Sequence, residues 1–253
     1  MPKLKQSVCW WCFSAFDIAP QQLMQEIAAI GYHGVELLPP ALFQLAKDHG
    51  LEVITIQGHT PLEDGLNKLE NGNHIEAQIE ERLAWAQQWQ IPNLIVFSGN
   101  RDGLDDARGM NHTIINLQRI VPLAEQAGVT LLLELLNSKV DHPDFMCDST
   151  AWAVEICRQI ESPNLKILYD IYHMQVMEGN VISTIKTYHE YIAHYHTAGV
   201  PGRAEVDETQ ELNYAAIMRA IAQTGYTGYI GQEFVPRGEP IPALQQAYQI
   251  CTL

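Results

Sequence analysis

Short apolar runs alternate with amphipathic stretches along the whole chain. The runs are Ser7–Phe13, Val35–Leu38, Val53–Ile56, Leu94–Phe97, Val129–Leu136, Leu165–Tyr169, Ile192–His196 and Tyr229–Phe234. Each is a short, mainly apolar run, and so each predicts a strand. The stretches between them carry apolar residues at helical spacing. Leu23, Ile27 and Ile30 share one face of a helix opened near Ala19–Pro20 and ended by Gly31. A helix follows Pro39–Pro40 as far as His49, and Ile75, Ile79, Leu83 and Ala86 mark the next one. Further helices are predicted over Asn111–Ala127, from Ser149 or Thr150 to Ile160, and over Val181–Tyr188, Tyr214–Thr224 and Ala243–Leu253. Gly128 and Gly225 stand where two of these should stop.

Eight strand–helix units in 253 residues predict a parallel sheet with helices outside it, of the size of a (β/α)8 TIM barrel. No linker or shift in composition interrupts them, so a single domain over residues 1–253 is expected. An open doubly wound sheet is the alternative, but it would usually divide at a linker.

Composition narrows the partners. The chain has 15 Lys+Arg against 30 Asp+Glu, a net charge of −15. That charge repels phosphate backbones and anionic lipid, and there is no basic run to offset it. Neither nucleic acid nor membrane is expected as a partner. The start, MPKLKQSVCWWCF, lacks the apolar core of a signal peptide. Five scattered cysteines are not a disulfide framework, and a reducing cytoplasmic location is the simplest reading. Cys9 and Cys12 form a C-x-x-C within an apolar run, which reads as packing rather than redox or zinc chemistry. Aromatic residues on helix faces leave a homo-oligomer open.

In a barrel, chemistry gathers where strands end. Glu134 lies in LLLELL, Asp170 ends LKILYD, His194 and His196 end YIAHYH, and Glu233 ends YIGQE. Four consecutive strands thus bring Glu, Asp, His and Glu to one rim. Carboxylates in apolar strands are costly unless something pairs with them. One divalent cation would hold them together. Three carboxylates and an imidazole suit Mn²⁺, Mg²⁺ or Co²⁺, and Zn²⁺ is also compatible. Each residue has a plainer role available. Glu134 has Lys139 or Lys166 as a salt-bridge partner, and Glu233 has Arg237. Asp170 can cap the next element, and His196 can be a satisfied core imidazole. His59 ends the third strand at the same rim and is a candidate substrate contact.

The segments VFSGNRDG, LLLELLNSKVDHPDF, YDIYHMQVMEGN, HYHTAGVPGR and YIGQEFVP resemble the xylose isomerase-like superfamily, and within it the hydroxypyruvate isomerases. The resemblance implies a metal held by Glu134, Asp170, His196 and Glu233. It implies Glu134 and Glu233 as the acid/base pair, and His173 and Arg203 as substrate contacts. The reaction would be proton transfer through a cis-enediolate on a small keto acid or sugar, hydroxypyruvate first. Arg203 would grip the substrate carboxylate, unless Glu205 or Asp207 occupies it. A ketose 3-epimerase of the same superfamily is the main alternative. An endonuclease IV-like repair enzyme is a remote one, since it needs further histidines and a basic face. A non-catalytic binding barrel has little reason to place acids at four strand ends.

Overall fold

The computed structural model describes residues 4–253, so Met1–Lys3, the first residues of the segment screened for a leader, lie outside it. Among the described residues the strands are β1 (Lys5–Cys9), β2 (Gly34–Glu36), β3 (Glu52–Gln57), β4 (Asn93–Val96), β5 (Thr130–Glu134), β6 (Leu165–Asp170), β7 (Ile192–Thr197) and β8 (Tyr229–Gln232). Their order is that of a closed barrel, β1 through β8. Each strand is followed by helical structure, so the fold is the (β/α)8 barrel that the alternating pattern predicts.

The chain forms two compact units. One runs to Ile54 and takes in Asn180–His189 and His194–Leu253, and the other holds Thr55–Gly179 and Glu190–Ala193. In the second unit, β4 pairs in parallel with β3 and β5, and β5 with β6. Leu131, Leu132 and Leu133 are all fully buried. A parallel strand covered on both faces reads as a continuous apolar run, which is why LLLELL does not alternate. In the first unit, β7 pairs with β8, β8 with β1, and β1 with β2. Here β7 does alternate. Tyr195 packs edge-on against Tyr226 with ring centroids 5.0 Å apart, while His194 and His196 share the opposite face.

Helix ends follow local chemistry. Pro20 begins the Pro20–Ile30 helix, and Gly31, at φ 112°, ends it in a conformation that disfavours a side chain. Several boundaries differ from the sequence reading, β2, β5 and β8 each ending two residues early. The first strand stops at Cys9, because Trp10–Cys12 turn into a short 3-10 helix. The C-x-x-C therefore spans a strand end and a turn, and both thiols are free and buried. The fourth-strand helix starts at Asp106 rather than Asn111, since Asp105 caps it by accepting from Arg108 N at 2.9 Å. The last helix begins at Pro240, again a proline at a helix start, rather than Ala243. A helix over Ile171–Met177, which the periodicity does not announce, follows Asp170 directly.

Candidate active site

In the first unit the register sets Cys9 opposite Glu36, and Gly231 of β8 lies beside both Ser7 and His196. Gly231 lacks a side chain, so the side chains of Glu36 and His196 fill the space a Cβ would take. Glu36 is fully buried. The Ser7 hydroxyl donates to its Oε1. His194 Nε2 and His196 Nε2 both donate to its Oε2, at 2.8 and 3.2 Å. Burial alone would raise the Glu36 carboxyl, but the two imidazoles hold it well below the usual carboxylate range. Cys9 Sγ lies 3.7 Å from His196 Nε2. Burial pushes this thiol up, so it stays protonated and unreactive.

The other nitrogen of His196, Nδ1, faces Glu233 Oε2 at 3.1 Å. Glu233 follows β8 directly and is also buried. Trp11 Nε1 donates to its Oε1 at 2.9 Å, and Arg203 Nη2 donates to its Oε2 at 2.7 Å. Burial opposes the charge of Glu233. His196 and Arg203 outweigh burial and hold the carboxyl well below its ordinary value. Arg203 also lies 5.1 Å over the Trp11 ring. Its backbone is in the left-handed region, at φ 56°, after Gly202 at φ 93°. This turn is tied down where Gly199 N donates to Ala204 O and Val235 N donates to Arg203 O, each at 2.8 Å. Glu205 and Asp207 pair with Arg237. Beside Trp11 is a cavity of about 290 Å³, lined by Trp11, Cys12, Ala15, Phe16 and Val235.

In the second unit, Glu134 ends β5 and Asp170 ends β6, both buried. The two lysines near Glu134 in sequence go elsewhere. Lys139 donates to the carbonyls of Val176 and Met177, and Lys166 to that of Glu190. Asp170 does cap a helix: its Oδ1 accepts from His173 N at 3.0 Å. His173 is fully buried, and its Nδ1 accepts from Asn137 N at 3.1 Å. A backbone N–H can only donate, so the hydrogen of a neutral His173 is on Nε2, 3.8 Å from Asp170 Oδ2. His59 follows β3 and is fully buried against Phe97. Its Nε2 accepts from Phe97 N at 3.0 Å, which puts its hydrogen on Nδ1.

Over residues 24–250 the chain matches the family described as the xylose isomerase-like TIM barrel. The protein belongs to that family. It is hydroxypyruvate isomerase-like within it. It is 26% identical over 252 residues to the human putative hydroxypyruvate isomerase, covering 92% of this chain and 90% of that protein. The Xenopus laevis protein of the same name is 33% identical over 171 residues, a match spanning 62% of its length. A 2-oxo-tetronate isomerase of Pectobacterium atrosepticum is 29% identical, covering 84% of this chain and 85% of that one. A crystal structure titled AP endonuclease, family 2, from Brucella melitensis superposes with a TM-score of 0.86. It is 25% identical, with 98% of this chain and 99% of that chain covered. With these relatives, the xylose isomerase-like barrel described here is an isomerase-class enzyme. Among its described residues no helix is long and apolar enough to cross a membrane.

Sequence reasoning passed over Glu36, Ser7 and Trp11 in this barrel. Glu36 carried the signal that picked out Glu134, an acid inside an apolar run (VELL). It was hidden because β2 ends at Glu36 itself, with Leu37 turning away at φ 51°. Ser7 and Trp11 had no local signal, since their roles depend on partners far along the chain.

Proposed function

We propose that the protein is a metal-dependent isomerase that moves a proton between adjacent carbons of a small hydroxy-keto acid, with hydroxypyruvate and tartronate semialdehyde as the first pair to test. The observation that carries this reading is the chemistry of four buried side chains, Glu134, Asp170, His196 and Glu233, each of a type that ligates a divalent cation. They come from the ends of four successive strands of the barrel. The metal fit is supported by chemistry at His196. Its Nδ1 and Glu233 Oε2 face each other at 3.1 Å, and both are atoms that donate to cations. Three carboxylates with one imidazole suit Mn²⁺, Mg²⁺ or Co²⁺, with Zn²⁺ also compatible.

When bound, a divalent ion would supply a Lewis acid that polarises the substrate carbonyl and acidifies the neighbouring C–H. The rest is assigned to the chain. Glu233 is assigned as one carboxylate of the acid/base pair, oriented by Trp11 and Arg203. Glu134 is the second carboxylate of the acid/base pair. Arg203 is braced on Trp11 and its side chain is 16% exposed, so it is placed to meet a substrate carboxylate. His173 and His59 are assigned to orient substrate oxygens. The names of the relatives, hydroxypyruvate isomerase and 2-oxo-tetronate isomerase, support an oxo acid over a neutral sugar. The net charge of −15 supports a small molecule over nucleic acid.

The test is an assay of the chelator-treated protein on hydroxypyruvate and on free ketoses, with and without added Mn²⁺. Hydroxypyruvate turnover should vanish with chelation and return with Mn²⁺. Turnover indifferent to chelation would remove the metal from the reading. Turnover of a ketose alone would replace the substrate class.

A further inference from the structure

Trp11 and Val235 are large apolar side chains left 41% and 42% exposed. They follow the ends of two paired strands, β1 and β8. With Cys12, Ala15 and Phe16 they line the cavity of about 290 Å³. That is space for roughly ten waters. The walls offer water little. The side chains of Ala15, Phe16 and Val235 have no polar atom, and the buried Cys12 thiol packs as an apolar group. The one strong side-chain donor, Trp11 Nε1–H, is taken by Glu233 at 2.9 Å.

The cavity adjoins the residues assigned to the reaction. The Trp11 indole meets Glu233 with its N–H and Arg203 with its ring, and it also forms a cavity wall. Val235 on the wall donates its N–H to the Arg203 carbonyl at 2.8 Å. Phe234, between Glu233 and Val235, is buried edge-on against Phe13, with ring centroids 5.3 Å apart. A three-carbon acid gripped at Arg203 has no alkyl group to place in this space.

We propose that the cavity is a subsite for an alkyl tail, so that the preferred substrates are 3-hydroxy-2-oxo acids extended beyond C3 by an apolar group. The inference rests on the oxo-acid reading proposed for this site. For R–CH(OH)–CO–COO⁻ the chemistry is unchanged. The C3 hydrogen leaves as a proton and a proton is returned to C2. The C3 hydroxyl becomes a ketone and the C2 ketone a hydroxyl, giving R–CO–CH(OH)–COO⁻ with no oxidant. An apolar R removes its own surface and that of Trp11 and Val235 from water. A hydroxyl on R would lose water and find no side-chain partner free in the cavity walls. Hydroxypyruvate, with R a hydrogen, is then the shortest substrate of the series.

Turnover is measured on full-length protein with Mg²⁺, with R as hydrogen, methyl, ethyl and hydroxymethyl. From hydrogen to ethyl, kcat/KM should rise roughly 4-fold per carbon. Ethyl should exceed hydroxymethyl, of the same length, by roughly 10-fold or more. Val235→Phe narrows the cavity and should lower the ethyl-to-hydrogen ratio. Val235→Thr keeps its size and should lower the ethyl-to-hydroxymethyl ratio. Binding is read apart from turnover. Pyruvate, 2-oxobutanoate and 2-oxopentanoate lack the C3 hydroxyl, and each is titrated while the indole ¹H–¹⁵N resonance of Trp11, assigned with Trp11→Phe, is followed. Kd should fall along the series and the resonance should move with each acid. If the acids bind in that order but no hydroxy-oxo acid turns over, the catalytic reading falls and the subsite stands. If hydroxypyruvate turns over while kcat/KM and Kd are flat or worsen with tail length, the subsite is overturned and the catalytic reading stands. A Trp11 resonance that ignores the acids also overturns it. So does one that moves with protein concentration alone, which would give the patch to a second copy of the chain.

Discussion

His59 has no hydrogen-bond partner for Nδ1 among the described residues, while its Nε2 accepts from Phe97 N. Desolvation drives its pKa down to about 4, from 6.5 for the free side chain. The consequence for stability has a definite sign. The unfolded chain takes up a proton on His59 near pH 6.5, whereas the folded chain resists until about pH 4. Stability is therefore intact above the higher value and is lost as pH falls between the two. At roughly 1.4 kcal/mol per pH unit the loss is about 3 kcal/mol. His59→Gln keeps an acceptor for Phe97 N and removes the titration. Urea midpoints for both proteins at the two ends of this window should show a smaller acid loss in the variant. Parallel losses would mean that His59 takes no part in the acid response.

At the scale of elements, Gly231 shows how one position in β8 shapes a neighbouring strand's chemistry. A Cβ there would meet Glu36 Oε1 at 2.5 Å and His196 Cδ2 at 2.7 Å, and both side chains are fully buried with no slack. Gly231→Ala should cost about 1–3 kcal/mol through overpacking. It should also weaken Mn²⁺ binding, because the displaced ring is a proposed ligand. Thermal melting and metal titration of the variant check both, and a wild-type result in both would show that the pocket yields. The elements themselves were mostly legible. Period-two and continuous apolar runs located all eight strands, because burial on a pleated sheet leaves that signature wherever the strand lies. Boundaries were less legible. The Ile171–Met177 helix is only seven residues long and depends on Asp170 as its cap, so no periodicity announces it. The end of β1 at Cys9 is set by the turn through Trp10–Cys12, whose residue types read equally well as strand.

At the scale of the molecule, the charge of −15 opposes the approach of an anionic substrate, and Arg203 is the local counterweight. Added salt screens the distant charges more than the near one. Hydroxypyruvate kcat/KM should therefore rise as NaCl is added at low ionic strength. A steady fall would show that the local cation, not the global field, governs capture. The sequence by itself determined the strand–helix rhythm, the barrel class and the acids and histidines at the strand ends, since each is encoded within a few neighbouring residues. Partnership was decided only by tertiary structure. Arg203, not Arg237, reaches Glu233, and Arg237 takes the acids that were candidates for Arg203. Glu36 meets His196 across 160 residues of chain. Contacts at such separations depend on strand register and barrel closure, which no local pattern carries.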